Sequence, residues 1–117
     1  MSLHTDIAII ENVLLISLKG KVLEDGILKD LLKQVEKYLS KTNGKVILNL
    51  TNLDYINSTG INFFIKLLTK ARVQGGDLVF YGITGSVKTI VHISKMDEVF
   101  TIVESYEDAL EIFKSTK

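Results

Sequence analysis

The chain has no cysteine, no proline and no tryptophan, and Arg72 is the only arginine among fourteen cationic residues. Without cysteine there can be no disulfide framework, thiol nucleophile, iron–sulfur ligation or common structural zinc site, and two distant histidines, His4 and His92, do not suggest a transition-metal centre. No metal and no cofactor is expected. One arginine leaves almost none of the forked donors that favour phosphate backbones, and fourteen acidic side chains cancel the fourteen basic ones, so a nucleic acid partner is not expected either. No Gly- or Ser-rich stretch forms a linker and no fixed-period repeat is visible, which predicts one domain over residues 1–117. Long apolar runs are missing as well. Val13 to Ile16 is far too short for a signal core or a membrane span, and the start Met1-Ser2-Leu3-His4-Thr5-Asp6 has no basic region. A cytoplasmic protein without membrane insertion is the expectation.

What is present suits a folded domain: 117 residues, 46% of them apolar and 24% charged, can bury roughly two-thirds of the unfolded surface. Apolar residues from Ile7 to Ile10 and from Val13 to Ile16 flank Glu11-Asn12, and Asn tolerates the left-handed backbone of a tight hairpin. From Asp25 the spacing changes, with Leu28, Leu31, Leu32, Val35 and Leu39 on one helical stripe that Asn43-Gly44 stops. Val46 to Leu50 reads as a buried strand, with Leu53 and Ile56 in its exit loop. A second helix starts near Ser58, carries Ile61, Phe64, Ile65, Leu68 and Arg72 on its inner stripe, and ends at Gly75-Gly76. Leu78 to Tyr81 follows as a strand. Thr84 then caps a third helix with Val87, Ile90, Val91 and Ser94 on one side, and Val99 to Val103 is a last strand. Ser105-Tyr106-Glu107-Asp108 has the spacing of a helix start, with Ala109, Ile112 and Phe113 facing inward.

The order β-β-α-β-α-β-α-β-α predicts an α/β domain: an N-terminal hairpin continued into a mostly parallel sheet flanked by helices. Ligands of such sheets usually sit beyond the carboxyl ends of the strands, at Leu50 to Gly60 and Gly82 to Ser86. Asn57-Ser58-Thr59-Gly60, at the head of the second helix, has two readings. Its side chains can simply cap orphan amides. The same free N–H groups and dipole end can also accommodate a phosphoryl group on Ser58.

The run Val46-Ile47-Leu48-Asn49-Leu50-Thr51, then Leu53, then Tyr55-Ile56-Asn57-Ser58-Thr59-Gly60-Ile61 resembles the signature of STAS domains of the anti-sigma-factor antagonist family, and the likeness extends over nearly the whole chain. The resemblance implies a bacterial, non-enzymatic regulator of transcription. It would bind an anti-sigma factor that is also a serine kinase and so free the sigma factor, be switched off by phosphorylation at Ser58 (Thr59 as second choice), and be restored by a phosphoserine phosphatase. Asn49 and Asn57 stand where the family usually has aspartates, and Lys95 where it often has glycine. The resemblance also favours a monomer. Some STAS members instead serve as scaffolds of sensory assemblies or as transporter subunits, and that adaptor reading stays open.

A rotation of about 100° per residue sets Phe63 roughly 200° from Ile61, away from the expected inner stripe and beside Lys66 and Lys70. The expected partner surface is therefore Asn57, Ser58, Thr59, Gly60, Phe63 and Lys66, with Phe63 as its aromatic anchor. A lone exposed aromatic needs no such role, and the two readings balance.

Other chemistries fail on residue type. Gly82-Ile83-Thr84-Gly85-Ser86 lacks the length and Gly-Lys-Ser/Thr ending of a Walker loop. Ser58 has no evident base, since His4 is near the start and His92 lies within the third helix as a surface or boundary residue. The pairs Glu24-Asp25 and Asp97-Glu98 sit at element ends, where they complement helix dipoles. Asp54 follows a central strand as a phospho-accepting receiver aspartate would, but the companion acids that such a site needs for Mg²⁺ are missing around Glu11.

Overall fold

The computed structural model describes residues 3–22 and 25–114, the side chains at 22 and 25 excepted, so the Glu24-Asp25 pair falls outside it. Strand β1 (Leu3–Ile10) turns into β2 (Val13–Val22), followed by α1 (Asp25–Leu39), β3 (Lys45–Ile56), α2 (Ser58–Val73) and β4 (Asp77–Tyr81). Then come α3 (Gly85–Ile93), the single turn α4 (Met96–Val99), β5 (Thr101–Ile102) and α5 (Tyr106–Lys114). The hairpin turn uses Glu11 and Asn12, both with positive φ (54° and 66°), the two-residue geometry whose twist matches a hairpin. The expected stop after α1 is also built, with Asn43 and Gly44 both left-handed.

The sheet order is β1-β2-β3-β4-β5, antiparallel only between β1 and β2. Because the order never reverses, the right-handed crossovers place every connecting helix on one face. Strand alternation divides the core accordingly. Leu14, Ile16, Leu18, Val46, Leu48, Leu50, Leu78 and Phe80 pack toward α1, α2 and α3, whereas Val13, Ile47 and Val79 meet Ala109, Leu110 and Phe113 of α5 on the other face. Edge-to-face rings join the helical layer to the sheet: Phe64 and Phe80 have centroids 5.0 Å apart, and Phe80 and Phe100 4.9 Å. On the α5 face, burial pushes the Tyr81 hydroxyl above its usual range, and the neighbouring Tyr106 and Glu107 add to that shift.

Two boundaries and one cap differ from the sequence expectations. Leu53 and Ile56 belong to β3, not to an exit loop. Only Lys45 to Asn49 pairs with β4, while Asn52 to Ile56 continues against the end of β2 through two register shifts. Leu53 and Ile56 are buried because this two-stranded extension still faces the helical layer. The last strand shrinks from Val99–Val103 to Thr101–Ile102, since Met96–Val99 forms a helical turn anchored by buried Met96. Thr84 takes the N-cap position of α3, but its side chain makes no capping hydrogen bond. Ser105 does cap as expected, its Oγ accepting from the Asp108 N–H at 3.1 Å.

Among the described residues no helix is long and apolar enough to cross a membrane, and no group of three or more His, Asp or Glu side chains is placed to hold a metal ion.

Candidate functional site

Asn49 sits where β3 outruns β4. Its Oδ1 accepts from the Thr51 N–H at 3.0 Å and from the Thr51 hydroxyl at 2.6 Å, and its Nδ2 donates to Ser17 Oγ at 3.4 Å. An aspartate could accept the first two bonds but could not donate the third. The extension beyond Asn49 is pinned from the β4 side. Gly82 has φ of 79°, and a Cβ there would come within 2.8 Å of the Thr51 nitrogen, so only glycine lets β4 leave so close to β3. The Ser86 hydroxyl at the start of α3 donates to the Asp54 carbonyl at 2.7 Å. Together these contacts hold the segment that delivers the head of α2.

At that head the cap is Asn57. Its backbone is extended (φ −118°, ψ −171°), and its Oδ1 accepts from the Gly60 N–H at 3.2 Å. Ser58 is the first helical residue, and its side chain is exposed. Capping therefore does not account for Ser58, because the neighbouring residue does it. Thr59 is half-buried and Gly60 buried. The first turn of α2 itself contains no acidic side chain, and the positive end of its dipole lies at Ser58.

Phe63 is not part of this exposed surface. It is 4% exposed and packs in the main core with its ring centroid 5.8 Å from that of Phe64. The buried arc of α2 is Gly60, Phe63, Phe64, Leu67, Leu68 and Ala71. This arc is centred roughly a quarter turn away from Ile61. A helix covered by both the sheet and α1 buries a wide arc, and Leu67 and Ala71 fix its centre. Two residues of the expected stripe accordingly face outward. Ile65 is 46% exposed, and Arg72 is exposed with its Nε 3.5 Å from Asp77 Oδ1. Lys66 is exposed as expected and borders a cleft of about 380 Å³ between α1 and α2, which Thr59 and Asn62 also line.

The histidines lie elsewhere. His4 is exposed on the edge strand β1, paired in register with Lys19, and His92 is exposed on α3 with its Nδ1 3.5 Å from Asp97 Oδ2. Both Asp97 and Glu98 fall in the first turn of α4, where acids complement the helix dipole. Lys95 between the two helices has φ of 61° and ψ of 26°, the left-handed conformation in which glycine is free of strain.

Compared with known proteins, residues 4–109 match the model of the STAS domain family. A protein of Bordetella bronchiseptica named as an anti-sigma factor antagonist, BtrV, is 27% identical over 106 residues, which is 91% of this chain and 90% of that protein. The crystal structure of an anti-sigma factor antagonist from Mycobacterium paratuberculosis superposes with a TM-score of 0.79 at 16% identity, over 97% of this chain and 96% of the other. The anti-sigma factor antagonist SpoIIAA in its unphosphorylated form gives 0.74 at 10% identity, over 96% and 99%. At such identities the two structural likenesses establish the fold, with its five-stranded mixed sheet and five helices.

Proposed function

The chain belongs to the STAS domain family, and from that premise we propose that it is an anti-sigma-factor antagonist, controlled by phosphorylation of Ser58 and acting by binding rather than by catalysis. The observation that carries the proposal is the division of labour at the head of α2: Asn57 caps, and Ser58, the first helical residue, presents its side chain to solvent. The names borne by BtrV and SpoIIAA support the partner class, and the mention of an unphosphorylated form for SpoIIAA supports a phosphoryl switch.

In this reading the partner is an anti-sigma factor that is also a serine kinase. It docks on the surface around Asn57, Ser58 and Thr59, with Lys66 about two helical turns further on, whereas Gly60 lies on the buried arc beneath that surface. A phosphoryl group on Ser58 adds between about −1.5 and −2 charge units, which the free N–H groups and dipole of the first turn can accommodate without unfolding. Added to the docking face, the same charge opposes binding through repulsion and desolvation. A phosphatase reverses the switch. Asn49 and Asn57, in place of the usual aspartates, keep the acceptor oxygens that shape the site. They also leave fewer negative charges to repel the phosphate.

The proposal is tested by affinity capture from extracts of the native cells with wild type and Ser58→Asp as baits. Wild type is expected to retain a kinase-like anti-sigma factor, and Ser58→Asp to lose it. If both baits hold that partner equally, the switch at Ser58 fails; if they hold scaffold or transporter subunits instead, the antagonist reading fails and the adaptor reading replaces it.

A further inference from the structure

A groove runs between α1 and α2 away from Ser58. Its first part is the 380 Å³ cleft beside Thr59, and its second, about 630 Å³, extends to Thr69 and Lys70; both are bordered by Lys29, Leu32 and Lys66, so they are continuous. Lysines dominate its rims: Lys29 and Lys33 from α1, Lys66 and Lys70 from α2. Among the described residues that line it, Glu36 is the only carboxylate, 2.6 Å from Lys70 at the far end. Between the charged rims lie Leu32 and the half-exposed Ile65. A net-neutral chain thus gathers a strongly basic strip around apolar side chains on one face.

We propose that this groove docks an acidic amphipathic helix from a protein partner. The charge specifies an acidic occupant, and the apolar floor between two rows of lysine requires alternating apolar and acidic faces at helical spacing. From Thr59 to Lys70 the groove spans twelve residues of α2, a rise of about 16 Å, or three turns of a docked helix. Two helix ridges offer no free strand edge, so a partner cannot enter by adding a β-strand. The concave shape suits a protruding rod better than a flat bilayer. This contact goes beyond the switch at Ser58 and does not require that Ser58 be phosphorylated.

The probe is a synthetic fifteen-residue helical peptide with leucine on one face and glutamate on both flanks, titrated into the full ¹⁵N-labelled chain. Its counterpart has lysine in place of each glutamate. The acidic peptide is expected to give saturable amide shifts centred on Leu32, Lys33, Ile65 and Lys66, with affinity falling about tenfold or more between low and high salt. Lys33→Glu combined with Lys66→Glu should weaken it at least tenfold, and Lys33→Gln with Lys66→Gln by less, with thermal midpoints unchanged because both positions are exposed. Ser58→Ala should bind as wild type does, which separates this docking from the switch. No saturable shift at millimolar peptide, shifts away from α1 and α2, or equal binding of the lysine peptide would overturn the proposal. Tighter occupation of the same residues by phosphatidylglycerol vesicles or by single-stranded RNA would overturn it in favour of those partners.

Discussion

At the scale of single residues, the head of α2 separates two roles that one polar stretch could have blurred. Asn57 satisfies the Gly60 amide, and Ser58 takes the first helical position with its side chain in solvent. The sequence Asn-Ser-Thr-Gly announces a helix start but does not say which of three capping residue types caps, because all three accept from orphan amides. Phe63 was unreadable for a different reason. Phe63, Phe64 and Ile65 are consecutive, so periodicity alone permits several phases for the buried face, and the packing of α1 on α2 decides between them. The consequence is measurable. Phe63→Ala should cost about 3–5 kcal/mol of stability, read as a lower urea midpoint, because it empties a core position. A loss below about 1 kcal/mol would mean that the ring is not packed as described.

Among the elements, those with strong local chemistry were legible. Glu11-Asn12 marks the hairpin, Asn43-Gly44 the end of α1, and Ser105 with Asp108 the start of α5, since each rests on backbone conformation or a short-range hydrogen bond. The region after α3 was not. A two-residue strand has too little pattern to recognise, and Met96–Val99 becomes a helical turn because buried Met96 anchors it. The left-handed turn between α3 and α4 falls on Lys95, where a side chain costs what glycine would not. Lys95→Gly is therefore expected to raise stability by about 0.5–1 kcal/mol, part of the relief being offset by glycine's greater unfolded-state entropy. A thermal midpoint unchanged or lowered would show that the turn carries no such strain. The long β3 was hidden too, because Asn49 and Thr51 interrupt its apolar pattern while the strand continues along β2.

For the molecule as a whole, topology explains why the described surface suits binding. The strand order never reverses, so the sheet lacks the crevice where doubly wound folds hold their ligands. What it offers instead is a helical layer on one face, with the exposed head of α2 at one end of the basic groove beside α1. Element order and the serine motif were readable from the chain, and so was the family. The groove was not, because it needs the relative placement of two helices that are separate in sequence.

The central claim is that Ser58 is the switch, and the most direct measurement is its phosphate content in the native cell. The protein would be isolated with phosphatase inhibitors and its α2 peptide sequenced by mass spectrometry, alongside a Ser58→Ala strain. The account predicts phosphate on Ser58 in a fraction of molecules that changes with growth condition, and none on that peptide in the Ser58→Ala strain. Phosphate confined to Thr59 or to another residue, or an α2 peptide that stays unmodified in every condition, would contradict it.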